Sequence, residues 1–155
     1  MSNISNIPKI ADIMSKNPFS ISIDETVHKA DEMMKTENLK HLPVVEGNKF
    51  VGLITERKLA EYNLRRIYEF DNSDGEESYN KILDFERVMK RGCHVVYPED
   101  SIKKVIQLMS KFRFDCVPVV DWDNNLIGMV SFLDILLYLN NKIEEGSASN
   151  LDANN

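Results

Sequence analysis

Apolar and polar positions follow the same order twice along this chain. The first copy opens at 19–23, where alternating apolar and polar residues predict a half-buried strand. Polar residues at 24–26 then favour a helix start. The apolar stripe of that helix consists of Val27, Ala30, Met33 and Met34. Apolar runs around Gly47-Asn48 predict a hairpin, and Thr55 can cap a second helix.

The second copy repeats this order of strand, helix, strand, strand and helix. Residues 95–97 predict the first strand, and Asp100 or Ser101 can begin a helix. The apolar stripe of this helix is Ile102, Val105, Ile106 and Met109. Residues 117–120 and 126–130 predict a hairpin, after which Ser131 begins a closing helix. The apolar positions of the closing helix include Ile135, Leu136 and Leu139.

Sequence similarity ties the two copies together. Leu-Pro-Val-Val at 42–45 returns 75 positions later as Val-Pro-Val-Val at 117–120. Gly-Leu-Ile-Thr at 52–55 returns as Gly-Met-Val-Ser at 128–131, and Met14 aligns with Met89. A unit of about 60 residues buries so small a fraction of its surface that its stability alone would be marginal. We therefore expect the two copies to pair, and ligands often bind between such halves.

Composition narrows the class of protein. The 155 residues are 43% apolar, which is typical of a globular chain. The formal net charge is −6, and no basic stripe indicates a nucleic-acid partner. No apolar run approaches the roughly 20 residues of a membrane span, and the N-terminus lacks a signal-peptide pattern. These features predict a cytoplasmic protein.

Residues with reactive or metal-binding side chains form no recognised catalytic set. Cys93 and Cys116 lack a metal-ligand spacing, and two reduced, half-buried thiols are favoured over a disulfide. The histidines, His28, His41 and His94, lie in unlike contexts with no nucleophile to serve. Arg65-Arg66 could contact phosphates, but a run of two charges is more typical of a solvated helix face. The sequence therefore predicts neither an enzyme nor a bound cofactor or metal.

The doubled pattern resembles the cystathionine-β-synthase, or CBS, domain family over residues 8–138. The marks that carry the resemblance are a Met-containing turn, an amphipathic helix, the hydrophobic-Pro-Val-Val strand, and a Gly-to-Thr/Ser strand before a helix. It implies an α+β fold of two tandem β-α-β-β-α repeats, packed sheet to sheet with pseudo-two-fold symmetry. The expected boundaries are 8–68 for the first repeat, 69–78 for an acidic linker loop, 79–142 for the second repeat and 143–155 for a disordered tail.

The resemblance also implies a function. Paired CBS domains, called Bateman modules, commonly bind an adenosine-containing nucleotide such as AMP, ADP, ATP or S-adenosylmethionine in a cleft between the repeats. Such a module is regulatory, forms homodimers, and here would signal in trans to a separate effector protein. The alternative is a ligand-free module for protein interaction.

Ser131 and Asp134 are the strongest candidates for ligand binding. A serine at a helix N-terminus can offer its hydroxyl, and first-turn N–H groups can receive a phosphate. The resemblance assigns Ser131 to phosphate or ribose and Asp134 to ribose. The same spacing is close to a capping box, so both interpretations stay open. Further contacts assigned by analogy are Phe132, Cys93, His94, Val95, Phe114, Asp115, Val117 and Pro118.

The first copy departs from this pattern. Thr55 matches Ser131, but Lys58 stands where the ribose-binding acid would be. A lysine cannot accept hydrogen bonds from hydroxyls. This second, degenerate site is therefore either empty, or Arg57 and Lys58 serve a more anionic group. The sequence predicts at most one fully equipped adenosine site, in the second copy.

Overall fold

The computed structural model describes residues 8–70 and 81–152, and the chain divides into two compact units. The first-repeat unit comprises Phe19–His94 and Asp123–Leu126. The second-repeat unit comprises Met1–Pro18, Val95–Trp122 and Ile127–Asn155. Each unit thus combines most of one sequence copy with a short segment of the other.

Helices and strands follow the predicted order. After a 3-10 turn at Ile10–Asp12 come β1 (Ser15–Lys16), β2 (Ile21–Ser22), α1 (Val27–Thr36), β3 (His41–Glu46), β4 (Lys49–Thr55), α2 (Glu56–Phe70), α3 (Lys81–Val88), β5 (Met89–Lys90), α4 (Ile102–Phe112), β6 (Cys116–Val120), β7 (Leu126–Ser131) and α5 (Phe132–Asp152). The α+β class is confirmed.

The first-repeat unit contains a four-stranded sheet in the order β2-β3-β4-β5. β2 runs parallel to β3, and the β3–β4 hairpin is antiparallel with a register shift between Val44 and Val45. β5 adds to the other edge, where Met89 faces Ile54. The core of this unit contains Leu42, Val44, Ile54, Leu59, Tyr62, Phe85 and Val88, among others.

The second-repeat unit contains a three-stranded sheet in the order β1-β7-β6. β1 runs antiparallel to β7, with Ser15 opposite Met129. Val96 adds a parallel bridge to Val119 on the other edge. The predicted strand at 95–97 is thus reduced to a single bridge. The core contains Ile10, Val96, Val105, Val117, Val119, Val130 and Ile135, among others.

Each unit takes its outermost short strand from the opposite sequence copy. β5, from the start of the second copy, lies against β4, while β1, from the start of the first copy, lies against β7. Such two-residue strands carry no pattern of their own, and the sequence did not predict them. The aligned methionines, Met14 and Met89, mark where the exchange occurs.

Two glycines make room for these exchanged strands. A β-carbon on Gly52 would collide with the Met89 side chain and come within 2.9 Å of the Lys90 carbonyl oxygen. A β-carbon on Gly128 would lie 2.7 Å from Met14 Sδ and 3.1 Å from the Ser15 carbonyl oxygen. The glycine that opens each Gly-to-Thr/Ser motif is therefore required by close approach of a second backbone.

Hydroxyl caps begin the amphipathic helices, as predicted. The Lys29 backbone N–H donates to Thr26 Oγ1 at 3.1 Å, and the Lys104 N–H donates to Ser101 Oγ at 3.3 Å. These bonds satisfy donors that lack a partner in the first helical turn. His28, on the first turn of α1, is exposed.

The structure departs from the predicted pattern at Ile106 and in the C-terminal tail. Ile106, in the predicted apolar stripe of α4, is 39% exposed. Leu136 and Leu139 on α5 are also exposed, at 45% and 42%. The tail predicted to be disordered from 143 is helical through Asp152, and pairs such as Lys142–Glu145 support its turns. Residues 71–78 of the predicted linker loop lie outside the described residues. The predicted repeat boundaries remain a prediction.

Candidate functional site

The turn from β7 into α5 holds the strongest candidate residues. Val130, the last buried residue of β7, and Ile135, in the first turn of α5, pack into the core and hold the backbone between them. The Phe132 N–H donates to the Asp115 carbonyl oxygen at 2.8 Å. This bond ties the helix start to the residue that precedes β6. Ser131 and Asp134 are half-buried at this turn.

Ser131 and Asp134 form a reciprocal cap. The Asp134 N–H donates to Ser131 Oγ at 3.1 Å. Asp134 Oδ2 in turn accepts from the Ser131 N–H and from the Ser131 hydroxyl, each at 2.7 Å. Together these bonds form a capping box with Asp in the position usually held by Glu or Gln. The capping interpretation of Ser-x-x-Asp therefore describes the ligand-free turn.

The capping box leaves part of the carboxylate out of the cap. Both bonds to Asp134 end on Oδ2, so Oδ1 takes part in neither. A carboxylate oxygen has two acceptor positions. The turn can thus keep its cap and still accept hydrogen bonds from a ligand hydroxyl.

The two thiols are free and are poor nucleophiles. Both have intermediate burial, as predicted. Burial, together with the charges of Asp115 and Asp134, raises the pKa of the Cys116 thiol to about 12. Burial also raises the pKa of Cys93, whose thiol donates to the Lys90 carbonyl oxygen at 3.1 Å. A protonated thiol is not the nucleophilic form, so neither residue is equipped for covalent chemistry.

The remaining predicted contacts fall in different environments. Phe132 is 54% exposed beside the turn, and Asp115 is exposed. Phe114 packs partly against the core and stacks on Phe112 with 5.6 Å between ring centroids. Val117 and Pro118 are buried, and Val117 belongs to the core of the second-repeat unit.

Three predicted contacts lie near the division between the two units. Cys93 and His94 belong to the first-repeat unit, whereas Val95 belongs to the second-repeat unit. Val95 is half-buried and His94 is exposed. Within one unit, the structure brings together Ser131, Asp134, Phe132 and Asp115.

The corresponding turn in the first copy has the same backbone and different side chains. Thr55 Oγ1 accepts from the Lys58 N–H at 3.2 Å, and the Glu56 N–H donates to the Lys40 carbonyl oxygen at 3.0 Å. Lys58 instead extends along α2, with Nζ 3.7 Å from Glu61 Oε2. The carboxylate that could accept ribose hydroxyls is thus replaced by an ammonium group, as the sequence predicts.

Sequence reasoning missed a basic cavity in the first-repeat unit. Its volume is about 360 Å³, and its lining residues are Lys58, Glu61, Tyr62, Arg65, Arg66 and Arg87. The signal available in the sequence was the helical spacing of the α2 members, which places them along one face. The contribution of Arg87 depends on how α3 packs beside α2, which no local pattern predicts.

Two further features are absent from the residues that the structure describes, a metal-binding cluster and a membrane-spanning helix. Within 8–70 and 81–152, no cluster of three or more His, Cys, Asp or Glu side chains could hold a metal ion. None of the helices in that same part of the chain is both long and apolar enough to cross a membrane.

Comparison with known proteins matches both copies to one family. Residues 10–65 and 85–141 each match the family model of the CBS domain. The CBS domain-containing protein YhcV of Bacillus subtilis is 28% identical over 90% of this chain and 91% of its own length. A homoserine O-acetyltransferase of Methanococcus vannielii is 30% identical over 79% of this chain, which spans only 23% of that enzyme.

A solved structure gives the same result for the fold. The crystal structure of the CBS domain pair of protein MJ0100, in complex with 5′-methylthioadenosine and S-adenosyl-L-methionine, superposes with a TM-score of 0.71. It is 26% identical, and the match covers 88% of this chain and 99% of that one. This likeness extends over both sequence copies.

Proposed function

The chain belongs to the CBS domain family, and we propose that it is a regulatory module that binds an adenosine-containing nucleotide beside the β7–α5 turn. The observation that carries the proposal is the half-buried pair of Ser131 and Asp134 at the start of α5, where Ser131 Oγ lies 2.7 Å from Asp134 Oδ2. In this proposal the module is cytoplasmic and catalyses no reaction. It signals in trans to a separate effector protein.

The chemistry of the turn supports adenosine as the recognised group. Ribose carries neighbouring hydroxyls, which are donors that a carboxylate can accept. Asp134 Oδ1 can take one of them while Oδ2 keeps the cap. Exposed Phe132 offers an aromatic surface next to the same turn. Two adenosine compounds bind the related CBS pair of MJ0100, which supports the same ligand class here.

The size of the regulatory effect depends on differential binding. A ligand shifts an equilibrium between two conformations only by the ratio of its affinities for them. A nucleotide that exchanged the Ser131 hydroxyl bond for its own would also release a capping contact worth about 1 kcal/mol. Binding and the local order of α5 are therefore coupled in this proposal.

Calorimetry of the intact chain with AMP, ADP, ATP and S-adenosylmethionine tests the proposal. We expect at least one of them to bind, and Ser131→Ala or Asp134→Asn to weaken that binding by about tenfold or more. Thr55→Ala is the matched control, because it removes the corresponding cap hydroxyl where no acid follows. It should lower thermal stability without changing affinity. Silence of the intact chain toward all four compounds at millimolar concentration would reject the proposal.

The second candidate is a ligand-free interaction module. The complete capping box favours it, because every Ser131–Asp134 contact already has a structural purpose. Lys58 in the first copy also favours it. Under this alternative, Asp134→Asn lowers the melting temperature and no nucleotide raises the melting temperature of the wild-type chain.

A homodimer is part of the proposal and has its own support. α5 exposes several large apolar side chains, namely Leu133, Leu136, Leu137 and Ile143. A row of this kind indicates a surface that a partner covers. Leu137→Glu should convert the chain from dimer to monomer in light scattering, whereas the exposed Lys103→Glu should not. A wild-type monomer at high micromolar concentration would contradict the dimer.

A further inference from the structure

The basic cavity between α2 and α3 lies wholly within the first-repeat unit. α2 contributes residues at helical spacing, from Lys58 to Arg66, and α3 contributes Arg87. Four of the six lining residues are cationic and one is acidic. This concentration stands out because the whole chain has a formal net charge of −6.

The acidic residue in the lining is already shared between cations. Glu61 Oε1 accepts from Arg57 Nε at 3.1 Å, and its other oxygen lies 3.7 Å from Lys58 Nζ. Arg57 is outside the cavity lining, and its side chain is 90% exposed. Glu61 is thus neutralised in part from outside, which leaves the cavity with an excess of positive charge.

Glu86, the acidic residue next to Arg87 on α3, is paired with a cation that does not line the cavity. Glu86 accepts from the guanidinium of Arg91, with a shortest distance of 2.6 Å. This pairing lowers the pKa of Glu86, through its hydrogen bond with Arg91 first. The neighbouring carboxylate therefore compensates Arg91, and the charge of Arg87 adds to that of the cavity.

Packing fixes the walls of the cavity. Tyr62 on α2 is only 7% exposed, and the guanidinium carbon of Arg66 lies 5.8 Å from the centroid of its ring. Phe85 and Val88 are fully buried on α3, so Arg87 between them faces outward. A site whose donors sit on packed helices is partly preorganised.

We propose that this cavity binds a compact polyphosphate group. Guanidinium groups match phosphate oxygens in pairs and form charge-assisted hydrogen bonds. Like charges held in one cavity repel each other, and a multivalent anion relieves that repulsion. The volume of about 360 Å³ is within the range of small-ligand pockets. The group belongs either to free polyphosphate or to the phosphates of a nucleotide.

The position of Lys58 links this site to the departure of the first copy from the repeat pattern. The same position in the second copy is Asp134, an acceptor for hydroxyls. In the first copy it is a donor that lines the basic cavity. The two copies thus present opposite charges from one place in the repeat, and the inference for this cavity does not rest on nucleotide binding at Ser131.

Titration of the intact chain with tripolyphosphate, ATP and adenosine tests the inference. The test variant is Arg65→Gln/Arg87→Gln, since both side chains are exposed and line the cavity. The matched control is Lys103→Gln/Lys111→Gln, which removes the same charge from exposed positions on α4. Circular dichroism and melting curves establish that each variant is folded. If the double variant does not fold, Arg65→Gln alone replaces it.

The expected result is binding of tripolyphosphate that weakens by about a hundredfold in the double variant, or about tenfold in the single one. The control should change affinity by less than about threefold, and added salt should weaken binding in all folded forms. Competition between tripolyphosphate and ATP assigns the site to nucleotide phosphates, and its absence assigns it to free polyphosphate. Adenosine reports on the Ser131 turn alone.

Three results would overturn the inference. The first is failure of tripolyphosphate to bind the intact chain at millimolar concentration. The second is equal weakening of tripolyphosphate binding by the test and control variants. The third is ATP that competes with tripolyphosphate yet keeps its affinity in the arginine variants, since the shared site would then lie elsewhere. Loss of adenosine binding through Asp134→Asn bears only on the proposed function.

Discussion

The β4–α2 turn and the β7–α5 turn have corresponding hydrogen bonds but differ in the side chain three residues after the cap. In both, the first helical N–H donates to the carbonyl that precedes the Pro-Val-Val strand, at 3.0 and 2.8 Å. In both, a hydroxyl accepts from the N–H three residues on, at 3.2 and 3.1 Å. The residue that makes that donation is Lys58 in one and Asp134 in the other. Repetition thus conserves the scaffold while one position changes what the turn can bind.

The largest expected effect concerns the reactivity of the Cys116 thiol in the second-repeat unit. Burial beside Asp115 and Asp134 raises the pKa of Cys116 to about 12. At pH 8 its thiolate fraction, and so its alkylation rate, should be about a hundredfold or more below that of the unfolded chain. Alkylation of a Cys93→Ser variant, with and without denaturant, measures this rate. Equal rates in the two conditions would contradict the assignment.

The same shift has a consequence for stability at alkaline pH. The folded pKa of Cys116 is raised, so the unfolded chain loses its proton first as pH increases. Its contribution is fully present below about pH 9 and is lost as pH rises toward about 12. Denaturant unfolding of wild type and Cys116→Ala across this range should show a steeper fall for wild type. Parallel curves for the two proteins would contradict a raised pKa of Cys116 in the folded chain.

The second difference concerns the two glycines that face the exchanged strands. Gly52→Ala should destabilise the fold by about 2–3 kcal/mol, because its β-carbon meets the Lys90 backbone as well as Met89. Gly128→Ala should cost about 1 kcal/mol, since the flexible Met14 side chain can yield. Urea denaturation measures both. The comparison fails if Gly128→Ala is the more damaging change.

The third difference concerns the residue three positions after each cap. Asp134→Ala removes two hydrogen bonds at 2.7 Å and should cost about 1–2 kcal/mol. Lys58→Ala removes only an exposed contact at 3.7 Å and should change stability by less than about 0.5 kcal/mol. The same urea experiment compares the pair. Similar losses from both substitutions would show that the turns are equivalent.

The smallest expected effect is a gain. Lys58→Asp places an acid at the positive end of α2, where it can complete a capping box with Thr55. We expect about 0.5 kcal/mol of added stability, measured by melting temperature against Lys58→Ala as the reference. A loss relative to that reference would mean that the first turn cannot accommodate the reciprocal cap.

Local features of the sequence predicted much of the fold. The caps at Thr55 and Ser131 were identified, and the helix starts at 24–26 and at Asp100 or Ser101 were located, because each involves residues within one helical turn. The exchanged strands were missed, since their pairing joins segments far apart and two residues carry no periodicity. Ile106 belongs to the predicted apolar stripe of α4 but is exposed, because a helical stripe can be wider than the surface that covers it.

The candidate site divides in the same way. Ser131 and Asp134 were found from their spacing, and the substitution at Lys58 was found by comparing the copies. The half-burial of the turn, and the hydrogen bond from the Phe132 N–H to the Asp115 carbonyl oxygen, could be seen only in the folded structure. The basic cavity was the hardest feature to predict, because Arg65 and Arg87 line it together only through the packing of α2 against α3.

The stoichiometry of adenosine-ligand binding tests the central claim most directly. Calorimetric titration with AMP and, separately, with S-adenosylmethionine should give one site per chain for whichever compound binds. Asp134→Ala should abolish that site, while Thr55→Ala should preserve it. Two equal sites in the wild-type chain, or one site that survives Asp134→Ala, would contradict the account.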